Sequence, residues 1–245
     1  MAYVAQAKIA RWIYFGSDLI SIPLMPTSRD YRRLDRFLDA IGSDIYAEAE
    51  SDLHSDISRK VFLHLMEHFA VPERARVLDV GCGSGVALAL FREYGLDALG
   101  VTLAEADLAV VHERGLVAQA MDQSFLEFPD HSFDLVWARH VVEHSIFPYF
   151  TLSEMNRVLK PGGILYLEVP GAETAAHHEQ NPNHYSVLGR SMWEQLVTRS
   201  GFSLEEGMTI NFELKIGPDA YWAFYCRKDV EAPRVRAAPA AADGD

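Results

Sequence analysis

Residues 76–85 read RVLDVGCGSG, a short apolar run with an aspartate inside it that breaks straight into a glycine loop. Val77, Leu78 and Val80 have the near-continuous apolar pattern of a parallel strand buried on both faces. Gly85 opens the stretch VALALFREYG, which Gly95 ends, so the predicted unit is strand, loop, helix. Gly81, Gly83 and Gly85 remove Cβ atoms where backbone must turn sharply and approach a ligand closely, as a nucleotide-cofactor turn requires. The spacing is GxGxG. A dinucleotide fingerprint would want its last glycine where Val86 stands, and this argues against NAD.

Outward from that loop, apolar runs and amphipathic stretches alternate: DALGV, ADLAVVHERG, VAQAM, FDLVWA, YFTLSEMNRVLK, GILYLEV, SMWEQLVTRSG. Alternation of this kind predicts crossover connections and a parallel sheet. SLEEGMTINFEL and AYWAFYCRK follow with no helix between them and predict a closing antiparallel pair. Upstream, residues 1–70 are expected to be helical. SRDYRRLDRFLDAIG offers an N-cap serine, a periodic apolar face and a terminal glycine, and a second helix is expected through DISRKVFLHLMEHFA. Val4, Ile9, Trp12, Ile13 and Phe15 are spaced for an amphipathic helix that packs on its own domain, caps the site or forms a dimer interface. The Ala- and Pro-rich tail 229–245 has little to bury and is expected to be disordered.

The chain has 245 residues, 49% of them hydrophobic, enough for one domain with additions. A net charge of -13 disfavours a nucleic-acid partner, because neutralising phosphates needs clustered Lys and Arg. Two cysteines, Cys82 and Cys226, make no disulfide framework, and a reducing cytoplasm is the expected setting. Lys8, Arg11 and Asp18 interrupt the N-terminal apolar stretch, so neither a targeting signal nor a membrane span is expected.

In sequence the chain resembles the class I S-adenosylmethionine-dependent methyltransferases, whose first motif is an acidic residue before GxGxG; VLDVGCGSG matches it. The resemblance continues through LGVTL (99–103), AMDQ (120–123), FPDHSFDLVWARHVVEHS (128–145) and RVLKPGGILYLEVP (157–170), and covers roughly residues 55–227. It implies an α/β, Rossmann-like doubly wound fold: a mostly parallel seven-stranded sheet with an antiparallel last strand, at 71–228, behind an N-terminal helical lid. It also implies S-adenosylmethionine as cofactor and S-adenosylhomocysteine as product.

Ligands of such sheets sit beyond the carboxyl ends of the strands. There the resemblance implies cofactor contacts from Asp79, near the ammonium, and from Gly81, Cys82 and Gly83. At the second exit the family usually has an acid for the ribose hydroxyls. Here Thr102 and Leu103 stand there, and a hydroxyl accepts less strongly than a carboxylate. Glu105 could reach back, or could simply stabilise its helix dipole. Asp122 matches the acid that accepts from the adenine amino group, with Gln123 beside it, and Arg139 opens the family's loop next to the donor methyl.

His140, Glu143 and His144 also spell HxxEH, a zinc-hydrolase pattern, but the strand before them favours the methyltransferase reading. His140 is either a buried structural histidine or catalytic. The long connection GAETAAHHEQNPNHYSVLG carries His177, His178, His184 and Tyr185 and is expected to cover an acceptor pocket. Its histidines could supply a base, or ligate a metal with His140 or His144; no metal is assigned. The base candidates are His144, then His184, then His140. Tyr46, His54 and Tyr185 are expected to contact the acceptor. The expectation is methyl transfer to a small-molecule hydroxyl in a possible homodimer. The alternatives are a non-methylation reaction using bound S-adenosylmethionine and a non-catalytic partner subunit.

Overall fold

A computed structural model of the protein describes residues 10–15, 18–23, 28–41 and 52–230. The chain divides into two compact units, Met1–Ile45 and Tyr46–Asp245. In the first unit, β1 (Ala10–Phe15) and β2 (Asp18–Pro23) pair antiparallel, and α1 spans Ser28–Ile41. The helix expected over the N-terminal stretch is therefore corrected over residues 10–23. ARWIYF and DLISIP are rich in β-branched and aromatic residues on either side of Gly16-Ser17, a hairpin signal that outweighs the helical spacing. The expected contact residue Tyr46 and the tail 231–245 lie outside the described residues.

The second unit begins with α2 (Asp52–His68), which buries Ile57, Val61, Phe62 and Leu65 along one face, four residues per repeat. It is followed by β3 (Arg76–Val80), α3 (Val86–Glu93), β4 (Asp97–Thr102), α4 (Glu105–Glu113), β5 (Ala118–Ala120) and β6 (Phe133–Arg139). Then come α5 (Pro148–Val158), β7 (Leu159–Pro170), α6 (Arg190–Arg199), β8 (Phe202–Leu214) and β9 (Gly217–Lys228). The seven strands are ordered β5-β4-β3-β6-β7-β9-β8. β9 runs antiparallel to both its neighbours, whereas β3 to β7 pair parallel where they adjoin. The doubly wound, mostly parallel sheet with an antiparallel last strand is thus observed.

The period of two along each strand divides the core. Val77, Leu135, Trp137, Tyr166 and Tyr225 pack with Phe62, Leu65 and Phe91 of α2 and α3. Leu78, Val80, Val136, Leu165 and Phe224 pack on the other side with Leu152 and Met155 of α5 and Trp193 and Val197 of α6. Asp79, Arg139 and Glu168 share the parity of the first set, so charged groups from three adjacent strands point to the α2 side at the sheet's carboxyl edge. No helix among the described residues is long and apolar enough to cross a membrane.

Candidate active site at the carboxyl edge of the sheet

The glycine loop is shaped by its own backbone. Gly81, Gly83 and Gly85 have φ of 72°, 49° and 88°, the left-handed region where side chains are strained. A Cβ on Gly81 would stand 2.5 Å from Val141 Cγ2, so the loop can lie against the β6 turn only with glycine there. At Gly83 a Cβ would meet nothing within 4 Å, which marks the open side of the cradle. The N–H groups of Gly81 and Cys82 both donate to Val101 O, at 2.9 and 3.0 Å, so these two residues turn their amides away from a ligand. The Cys82 thiol packs against Gly100, where a Cβ would fall 2.6 Å from the sulfur, and burial pushes its pKa up.

Asp79 is 3% exposed, and its Oδ2 is buried with no hydrogen-bond partner. Burial raises its pKa to about 7, with Arg139 pulling in the opposite direction. A buried carboxylate oxygen left without a partner is costly unless a cation meets it. The amino group of S-adenosylmethionine is such a cation, so the residues present fit this cofactor. At the second exit Thr102 Oγ1 accepts from Ala104 N–H at 3.3 Å, which ties the hydroxyl into the turn before α4. Leu103 is 42% exposed, and Glu105 is exposed. Asp107 on α4 is buried and lies close enough to Cys82 to raise its pKa, a neighbour that sequence reasoning missed. At the third exit Asp122 Oδ1 accepts from Ser124 N–H at 2.6 Å, and Gln123 Nε2 donates to Val141 O at 2.9 Å. The hydroxyl of Thr151 lies 2.7 Å from those of both Ser124 and Ser145, locking the third exit to the fourth.

The fourth exit is electrostatic. Arg139 stands opposite Glu168 in the β6–β7 register, with Nε 2.8 Å from Oε1 but not aligned as a hydrogen bond. His140 follows at φ 51°, strained for a non-glycine residue and held by its N–H to Glu168 O at 2.9 Å. Its Nε2 lies 2.9 Å from Glu168 Oε1 and its Nδ1 3.4 Å from Glu143 Oε1. Burial pulls the imidazole pKa down, but these two carboxylates outweigh it and the pKa stands at about 9. His140 thus has a carboxylate at each ring nitrogen, an arrangement that favours its charged form. Burial raises the Glu143 and Glu168 carboxyls and the facing cations more than reverse this, leaving both lowered. Tyr166 OH donates to the other Glu168 oxygen.

Around that charge row stands a wall of polar rings. His54 Nε2 lies 2.8 Å from Tyr221 OH, and Tyr221 meets His140 edge-on at 4.1 Å between centroids. His144 Nδ1 donates to Asn183 O at 2.9 Å, which leaves the lone pair on Nε2. Its ring meets that of His184 at 4.8 Å and 87°. The long connection after β7 is pinned at both ends. Gly171 N–H donates to Ala220 O, Ser186 N–H to Glu143 O, and Ser186 Oγ to Ser145 O. His178 pairs with Asp219 at 3.1 Å, while His177 is turned outward, 60% exposed, beside Glu179. Tyr185 is 40% exposed. Sequence reasoning missed Glu168 and Tyr221; the signal for the first was a lone acid in the apolar run ILYLEVP, since charges are almost never fully buried unpaired.

A methyltransferase-domain family matches residues 78–167, from β3 to β7. The 2-methyl-6-phytyl-1,4-hydroquinone methyltransferase of Synechocystis sp. is 35% identical over 170 residues, 62% of this chain and 50% of that protein. The ubiquinone biosynthesis O-methyltransferase of Maricaulis maris is 32% identical over 113 residues, 41% of this chain and 44% of that one. The chain therefore spans about half the length of these curated relatives. Among solved structures, the [4+2]-cyclase SpnF has the same fold, with a TM-score of 0.62 at 20% identity over 86% of this chain and 99% of its own. Sheet order, glycine loop and domain match agree, and all three support assigning the domain at residues 78–167 to the class I S-adenosylmethionine-dependent methyltransferase type.

Proposed function

We propose that this protein transfers a methyl group from S-adenosylmethionine to a hydroxyl of a small-molecule acceptor. The observation that carries the reading is the orphaned, buried Asp79 oxygen beside a glycine cradle that is open at Gly83. When bound, S-adenosylmethionine supplies a methyl already activated on a sulfonium, so the chain's work is alignment and exclusion of water. Asp79 would hold the cofactor's amino group, and Gly81 would turn its carbonyl side to it. Asp122 and Gln123, fixed by their links to Ser124 and Val141, would border the adenine.

The acceptor side is the ring wall of His54, His140, Tyr221, His144 and His184. Its flat polar faces suit a ring-bearing hydroxyl compound, as does the hydroquinone in the name of one relative. His144 is the proton acceptor we favour: Nδ1 is committed to Asn183 O, so Nε2 can take a hydroxyl proton, with His184 beside it. The net charge of -13 speaks against strongly anionic acceptors and nucleic acids.

The test is calorimetric titration of the purified chain with S-adenosylmethionine and S-adenosylhomocysteine, followed by an acceptor screen that reads S-adenosylhomocysteine release. Micromolar binding of both and release dependent on a hydroxyl acceptor are expected. Binding without release from any acceptor class would overturn methyl transfer in favour of another reaction on the same fold, and absence of binding would overturn the enzyme reading.

A further inference from the structure

We propose that Glu143, His144 and His184 form a divalent metal site on the acceptor side, one that takes a first-row transition ion such as Zn2+. One ligand atom from each residue lies within 4.8 Å of the others. Donor atoms around such an ion, at about 2.0–2.2 Å from it, stand about 3.4 Å apart, so the ligand atoms would draw together by at most about 1.5 Å. Glu143 is the strongest argument: it is 1% exposed, and neither carboxylate oxygen has a hydrogen bond. Its Oε1 lies 3.4 Å from His140 Nδ1.

The imidazole beside it is prepared in the manner of metal ligands. His144 Nδ1 donates to the Asn183 carbonyl at 2.9 Å, which fixes the ring and presents the Nε2 lone pair. His184 is brought in from 40 residues away by the clamp on the loop: Ser186 N–H to Glu143 O at 2.9 Å, and Ser186 Oγ to Ser145 O at 2.7 Å. A loop with solvation as its sole role would not need its backbone bonded to the residue that carries the orphaned acid.

Two imidazoles and one carboxylate favour zinc, iron or nickel over magnesium, which prefers oxygen and water. Three protein ligands leave positions open, as in catalytic rather than structural centres; with the ion bound the His144 Nε2 lone pair is a ligand, and an acceptor hydroxyl on an open position would give its proton to solvent in place of direct transfer to His144. That last role rests on the methyl-transfer reading; the site itself does not. His140 Nε2 is taken up by Glu168 Oε1 at 2.9 Å, which fixes which ligand set is meant: His144 and His184 hold the ion, while His140 stays with Glu168.

The full chain, purified without a histidine tag and stripped with chelator, is titrated with Zn2+ by calorimetry and with Co2+ by visible absorption. One ion per chain in the micromolar range or tighter is expected, with a cobalt band in the ligand-field region. Glu143→Gln and His184→Ala should each weaken binding about tenfold or more and alter the cobalt band. His177→Ala, on the outward side of the same loop, should bind as the parent does. S-adenosylhomocysteine affinity, measured on each variant, reports that the fold is intact. Absence of one-to-one binding, or binding indifferent to His184→Ala in a folded variant, would overturn the site. Methyl transfer by a protein that binds no ion in these titrations would overturn the site and leave the proposed function standing; a bound ion with no cofactor binding would do the reverse.

Discussion

The two halves of the carboxyl edge are built by different means. The half at β3, β4 and β5 is made of backbone and short polar side chains within a few residues of one another: the glycine loop, Thr102 on its own turn, Asp122 capping Ser124. The half at β6, β7 and β9 is made of side chains from distant segments, with His54, Arg139, Glu143, Glu168, His184 and Tyr221 meeting across 167 positions of sequence in the His54–Tyr221 pair. A common ligand can be held by local motif, because its chemistry does not change. A variable acceptor would be met by side chains gathered from several segments, some on loops that can be exchanged without disturbing the strands.

Breaking the first half should have the largest effect. Asp79 has a folded pKa of about 7 against an ordinary 3.8, so its contribution favours the fold most below 3.8 and is lost as pH rises through 7. Three units correspond to about 4 kcal/mol. Asp79→Asn should therefore stabilise the cofactor-free protein by roughly that amount at pH 8, with the gap closing toward pH 4, while cofactor affinity collapses. Thermal melts and calorimetry across pH check both signs. Equal stability of the two proteins at pH 8 would mean that the carboxylate is already matched by Arg139. In the parent, cofactor affinity should rise with pH up to about 7 and then level off, because the bound form needs the ionised acid.

The second half should fail differently. Glu168→Gln leaves Arg139 and His140 with one carboxylate fewer between them, and breaking a buried pair costs about 3 kcal/mol. Urea unfolding should show that loss, and the His140 ring should titrate lower by NMR, since one of the two acids that raise it is gone. An unmoved His140 titration would show that Glu143 alone sets its charge.

His144→Ala separates the halves. Turnover should drop about a hundredfold, the range of a lost general base, while S-adenosylhomocysteine affinity stays within about twofold. Normal turnover would remove His144 from the chemistry. Thr102→Val should have the smallest effect: loss of the Ala104 bond costs about 1 kcal/mol, with a few-fold weaker cofactor binding. A larger loss of affinity would mean that the hydroxyl stands in fully for the family's ribose acid.

The sequence by itself determined the doubly wound sheet, the strand exits and the glycine loop. Those features depend on periods of two and of 3.6, on glycines at positive φ and on acids one or two residues from a strand end, all of which are local. It also carried the N-terminal hairpin in ARWIYF and DLISIP, although helical spacing within the same residues pointed elsewhere. Only the tertiary structure decided which charges of the β6, β7 and β9 half oppose each other. Arg139 and Glu168 become partners through the β6–β7 register, and His140 becomes a cation because that register and the next turn place an acid at each of its nitrogens. His184 joins Glu143 and His144 because Ser186 bonds back to the turn that carries them. Pairings of this kind are long-range, and a titratable group takes its charge from whatever faces it in space.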